Sequence, residues 1–197
     1  MQNENNVQML SDEKFIKELN YYKDRIELCN TDNHNCVYVN RLNKFFKSDE
    51  VSEKIINNNI EKITEVIKTF GNDYYKLFAI SNFIQLDKVS TEIINNNIEK
   101  IAEVIKTFGD DCNKLSAINK FIESDKVSEK TLKNNLNKIV GIINSVKVNE
   151  SNSSMFLEVF KTLESKLSKA NKIFSQQNLN SLDQANDEFI KPKTKEQ

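Results

Sequence analysis

Along the middle of the chain, apolar side chains recur at the spacing of one helix face. Ile56, Ile60, Ile63, Ile67 and Phe70 follow one another at intervals of four, three, four and three, with Val66 flanking them. That order puts them on one side of a helix with 3.6 residues per turn. Ser52 stands ahead of the run, between Val51 and the first of these isoleucines. The spacing predicts an N-cap at Ser52 and a hydrophobic staple between Val51 and Ile56. Gly71 comes directly after Phe70, where helices commonly close through a left-handed residue, so a positive φ is expected there. Asp73 then caps a second, shorter helix with an inward stripe of Leu77, Ile80, Phe83 and Ile84, and Asp87-Lys88 turns the chain back. The predicted unit is a hairpin of about five helical turns and then about three and a half.

The same pattern returns 38 residues later. Set one over the other without a gap, Val51–Lys88 and Val89–Lys126 are identical at 27 of 38 positions. Ser90, Phe108 and Gly109 take the places of Ser52, Phe70 and Gly71. A more diverged copy begins at Val127 with VSEKTLKNNLNKIVGIINSV. A polar VNESNSS follows, then an apolar stripe through Met155, Phe156, Val159, Phe160, Leu163 and Leu167. Upstream, Leu10-Ser11-Asp12 aligns with Val51-Ser52-Glu53, and Phe15, Leu19, Tyr22 and Ile26 keep the helical spacing. Phe45-Phe46 and Asp49 match Phe83-Ile84 and Asp87, but the register of the two halves differs by three residues, which predicts an enlarged loop at 30–35.

One hairpin cannot bury both of its apolar stripes, whereas stacked copies can. The expected fold is therefore all-α, a short α-solenoid of about four tandem helical hairpins at residues 10–50, 51–88, 89–126 and 127–167. Residues 1–9 are expected to be flexible and the array to occupy 10–175. The tail at 176–197, ending KPKTKEQ, reads as weakly structured to disordered. The arrangement resembles the HEAT and tetratricopeptide solenoids in architecture only. The tetratricopeptide W-x2-L-G-x2-Y pattern is missing from a chain without tryptophan, while the looser HEAT class accommodates a 38-residue period.

Composition alters this picture little. Among 197 residues, 28 basic and 29 acidic side chains leave a net charge of −1, so no strong field favours nucleic acid or an anionic membrane. Three glycines and one proline, Pro192, leave the helices uninterrupted, and the 29 asparagines, with heavy Lys and Ile usage, fit drift in an AT-rich genome. The opening MQNENNVQML has neither a basic nor an apolar signal-peptide region. No apolar run approaches the ~20 residues of a membrane span. Three unpatterned cysteines favour a reducing compartment, and a cytoplasmic location is expected.

Candidate chemistry is sparse. His34, with Cys29, Cys36 and Asp32, has the residue types of a metal site but matches no zinc spacing. The alignment sets Cys29 at the Phe70 position and Cys36 near Leu77, as small core residues. Cys112 has no acid–base partner nearby in sequence, and the paired acids Asp12-Glu13 and Asp110-Asp111 sit at helix starts, where the dipole favours them. No phosphate-binding glycine loop, nucleophile elbow or HExxH motif is present. No enzyme activity, metal or cofactor is expected.

Two features bear on packing and partners. Asn59, Asn97 and Asn135, each ending an asparagine run, fall inside the apolar arc. A buried amide needs a partner, so either these residues form a hydrogen-bonded ladder between copies or they skirt the core edge. The second feature is a difference between near-identical copies. Tyr74, Tyr75, Phe78 and Leu86 become Cys112, Asn113, Ser116 and Ser124 one period later. Shared residues build the stack and differing ones are free for other uses, so this aromatic set is the candidate partner site; packing on the enlarged 30–35 loop is the competing account. The expected function is a protein or peptide interaction module, with an RNA-binding helical repeat or a plain spacer as alternatives.

Overall fold

The third asparagine of each run decides the shape of the first half of a copy. In the computed structural model, which describes residues 8–28 and 32–167, the expected long helix is two helices. In the second copy these are α3 (Glu53–Asn58) and α4 (Ile60–Lys68), with Asn59 between them at φ −117°, ψ 18°. The third copy has α6 (Thr91–Asn96) and α7 (Ile98–Lys106) broken at Asn97. The fourth has α9 (Glu129–Asn134) and α10 (Leu136–Asn144) broken at Asn135. In the first copy the aligned residue is Glu18, and there α1 (Asp12–Leu28) runs unbroken.

The reason lies in one carbonyl. The Asn59 N–H donates to Ile56 O at 3.1 Å, three residues back. Ile55 O thus loses its usual donor, and the Asn59 Nδ2 supplies one at 2.9 Å. Asn97 does the same for Ile93 O at 3.0 Å. Asn135 Nδ2 also donates to Thr131 O at 3.0 Å, but there the Asn135 N–H still reaches the same carbonyl at 3.2 Å. A short side chain that reaches its own backbone is poor inside a helix and well suited to a break. The expected ladder between asparagines is therefore absent: each amide is spent on its own helix, and only Asn59 also reaches across, to Asp12 Oδ1 at 2.9 Å.

The second halves are single helices: α2 (Asp32–Lys47), α5 (Asp73–Gln85), α8 (Asp111–Glu123) and α11 (Ser153–Lys166). They pack one on the next in chain order, while α1, α4, α7 and α10 pack in a second row, and apolar residues of both rows bury one continuous core. Among the described residues every regular element is helical and there is no strand. Phe46 on α2 meets Phe83 on α5 edge-on at 5.9 Å, tying the first copy to the second. Phe70 and Phe108 are buried at the ends of the first halves.

Ser52, Ser90 and Ser128 cap α3, α6 and α9, accepting from the N–H three residues on at 3.2, 3.4 and 3.1 Å. Four local expectations are corrected. No glycine among the described residues has a positive φ, so Gly71 and Gly109 are not left-handed closures. The helices instead tighten at Thr69 and Thr107, whose N–H and Oγ1 both donate to the carbonyl three residues back. The N-cap of α5 is Asn72, which accepts from Tyr74 N–H, and Asp73 is released for another task. The three extra residues of the first copy lengthen α2 to 16 residues against 13 in α5, so residues 32–35 are helical and form no enlarged loop. Cys36 then lines up with Tyr74 and is exposed, contrary to its expected core place. Cys29, the last residues of the expected array at 168–175 and the expected tail lie outside the described residues, as do residues 1–7.

Two measurements test this account. Asn97→Asp keeps the shape but sets an acceptor against Ile93 O, and should cost on the order of 1–3 kcal/mol. Each kcal/mol appears as a fall of about 2–4 °C in a thermal melt followed by circular dichroism. An unchanged melt would show that the amide does not hold the break. The neighbours Phe108 and Gly109 should behave oppositely. Phe108→Ala empties a buried ring site and should cost about 3–5 kcal/mol. Gly109→Ala places a Cβ in ordinary contact, 3.6 Å from Asp73 Oδ2. With no left-handed φ to lose, that change should leave the melt level or raise it by up to about 1 kcal/mol of stability.

Candidate functional site

The polar side chains that recur at one period are mostly engaged between copies. Asp73, freed from capping, accepts the Asp110 N–H of the next copy through Oδ2 at 2.7 Å and pairs with Lys76 through Oδ1 at 3.1 Å. Lys76 is buried; its Nζ also donates to Thr107 O at 3.3 Å and lies 6.0 Å from the centre of the Phe108 ring. One period on, Asp111 accepts the Lys147 N–H at 3.2 Å and pairs with Lys114 at 3.7 Å. The sequence pattern gave no sign of this latch beyond the identity of the columns.

A second latch uses the lysine that closes a copy. Lys88 donates to Ser48 O, and Lys126 donates to Leu86 O. Lys166 donates to Ser124 O at 2.7 Å and Val127 O at 3.3 Å. Residues 48, 86 and 124 stand one period apart, each just past the end of a second-half helix. A cation there meets unpaired carbonyls at the negative end of the dipole. Burial pushes the Lys126 pKa below its ordinary value, with the Asp87 carboxylate opposing.

The third contact is at the surface. Lys100 pairs with Glu61 of the preceding copy at 3.3 Å, Lys138 pairs with Glu99, and Lys68 meets Glu103 of the following copy at 3.3 Å. The hydrogen bond from Lys138 and its charge hold the Glu99 carboxyl below the ordinary value. A depressed carboxylate contributes at neutral pH and ceases to as pH falls through its folded pKa. These latches stop at the fourth copy. Asn137 stands where Glu61 and Glu99 stood, and Asn149 replaces Asp73 and Asp111, accepting from Ser151 and Asn152 in its own turn.

What the stack leaves uncovered is the outward stripe of α5. Tyr74 is 59% exposed and Phe78 38%. Tyr75 is half-buried against the core, its ring edge-on to Tyr74 at 5.4 Å. Leu86 does not belong with them. It is 3% exposed, because it sits beyond the last turn with extended backbone and turns under the helix, where the wheel no longer applies. On α2, Val37, 45% exposed, and exposed Arg41 and Lys44 take the register of Tyr75, Ala79 and Asn82, so they belong to the side turned toward a preceding copy and not to the stripe of Tyr74 and Phe78. Sequence comparison between copies found the aromatics. Between α7, α8 and α10 lies a small apolar crevice of about 20 Å³ beside Ala102, with no polar group suited to orient a ligand.

His34 and Cys36 lie on α2, and among the described residues no three His, Cys, Asp or Glu side chains form a group able to hold a metal. Cys112 is half-buried at the start of α8. Among the same residues no helix is long and apolar enough to cross a membrane. Comparison of the chain with protein-family models, with curated proteins and with solved structures returns no match.

The two kinds of latch should differ in weight. Lys126→Ala leaves carbonyls partly buried without their cation and should cost on the order of 1–2 kcal/mol. Glu99→Gln removes only an exposed, solvent-screened pair and should move the melt much less. A larger loss from Glu99→Gln than from Lys126→Ala would reverse that ranking.

Proposed function

We propose that this protein is a non-enzymatic protein-interaction module, a short α-solenoid of four copies that presents the outer face of its second-half helices to a partner protein or peptide. The observation that carries the reading is the division of labour between columns. Many residues shared by the second and third copies are engaged in caps, core and latches, while Tyr74 and Phe78, which the third copy lacks, stand exposed. Exposed aromatics on a folded surface are costly to keep without a use. An RNA-binding repeat needs recurring free cations, whereas Lys100 and Lys138, which recur at one period, are paired with Glu61 and Glu99. The reducing cytoplasm suits the exposed Cys36.

The test is affinity purification of the full chain from its native cell, followed by mass spectrometry and by a gel-shift assay with single-stranded RNA at about 50 mM salt. The expected result is a protein recovered reproducibly and in near-stoichiometric amount, with no RNA shift. A folded chain that recovers no protein, or one that retards RNA at that salt, would overturn the reading.

A further inference from the structure

We infer that residues 171–189, which lie outside the described structure, seat on the open end of the fourth copy as the first half of a fifth. The inference goes beyond the interaction-module reading and does not depend on it. Two columns show which side of a copy meets its successor. On α7, Ile98, Ala102 and Ile105 line the crevice against Ile139 and Ile142 of α10. On α2, Phe46 meets Phe83 of the next copy. The fourth copy has Leu136 and Val140 at the places of Ile98 and Ala102, and both are partly exposed where their counterparts are buried. At the place of Phe46 it has Phe160, and Leu157, one turn back on the same side, is 39% exposed. The copies that have a successor carry Asn43, Ser81 and Asn119 at the Leu157 position. An end copy facing water calls for a more polar residue there, and this chain has a more apolar one. Such a face implies an apolar cover.

The chain itself supplies that cover. Leu86 closes α5 and Ser124 closes α8, and in each case the asparagine of the next first half, Asn97 or Asn135, stands eleven residues on. Leu167 closes α11, and eleven residues on stands Asn178. Past each asparagine the apolar residues keep one set of intervals. Ile98, Ile101, Val104 and Phe108 follow Asn97; Leu136, Ile139, Ile142 and Val146 follow Asn135; Leu179, Leu182, Ala185 and Phe189 follow Asn178. Leu182 and Ala185 thereby take the places of Ile139 and Ile142, the residues that meet a preceding copy. Asn171 takes the capping place of Ser90 and Ser128. The charges agree as well. Glu61 pairs with Lys100 and Glu99 with Lys138, and the next pair of the series is Asn137 with Ser181. Acid and cation are lost together, so the joint keeps no unmatched charge. The polar composition of this stretch is then that of a cap with one side to water.

The chain has no tryptophan, so Phe189→Trp in the full chain sets a single fluorescent reporter in the segment. Its emission should lie well to the blue of the same chain unfolded in urea. Leu157→Asp on the face and, separately, Leu182→Asp in the segment should each move that emission to the red, toward the unfolded value. Circular dichroism should meanwhile show the four copies still folded, which separates a released segment from a lost array. Should Leu157→Asp melt the array, Leu157→Asn, which copies Asn119, takes its place. Phe78→Ser, on the α5 stripe, should leave the emission where it was. Emission equal to that in urea would overturn the inference. So would a blue shift that either the face or the segment variant leaves intact, or one that Phe78→Ser abolishes. A blue shift seen only where light scattering finds two chains would give the face to a second copy and overturn it too.

Discussion

A carbonyl that loses its helical donor must find another, and in two copies of this chain the replacement is an asparagine side chain four residues on. That bond lets the first half of a copy bend without leaving a buried acceptor bare. Once bent, the two short helices bury Ile55 and Ile56 on one arm and Ile60, Ile63 and Ile67 on the other. A straight helix would have a single stripe to offer the core. Asn59 and Asn97 are therefore structural in a specific way: each supplies a donor where the backbone has stopped supplying one, while Asn135 adds its amide to a carbonyl the backbone still reaches. Where Glu18 replaces the asparagine the helix is straight.

Much of the fold was legible because it depends on period. Apolar spacing located the helices, and the Val-Ser pairs located their starts, since a serine with a free hydroxyl before an apolar run has few other uses. The break at Asn59 was not legible from apolar spacing, because Ile56, Ile60 and Ile63 keep step whether the helix is straight or bent. Glycine after a helix invites a left-handed reading, yet Thr69 and Thr107 had already satisfied the final carbonyls, so Gly71 and Gly109 had no such bond to make. At the candidate site, comparison of copies isolated Tyr74 and Phe78 because near-identity makes a difference conspicuous. The same comparison drew in Leu86, which lies past the end of the helix that the wheel describes.

The latches between copies differ in kind as well as in place. The Asp73–Lys76 pair is largely shielded from water, so its charges interact strongly and also need one another, and the Asp110 N–H and Thr107 O complete their bonding. The Glu61–Lys100 pair lies in water and adds little to stability. Its recurrence one period later reads better as register control. A like charge brought opposite by a slip along the stack would be penalised, which is how weak surface charges contribute to specificity.

The lattice of latches has a genetic consequence. Each middle copy carries, on the side facing its successor, the acceptors Glu61 and Asp73 or Glu99 and Asp111, and at its end a lysine for its predecessor. The second and third copies are therefore interchangeable cassettes. Deleting 89–126 would bring Lys138 to Glu61, the Lys147 N–H to Asp73 and Lys166 to Leu86 O, the same chemical types that meet now. Near-identical adjacent segments also favour unequal recombination, so the array can shorten or lengthen by 38 residues at a time without a mismatched joint. Growth past the fourth copy is different, since Asn137 and Asn149 offer a newcomer neither acid. The array can change its length from within, while its fourth copy turns no acid of these two columns toward a successor.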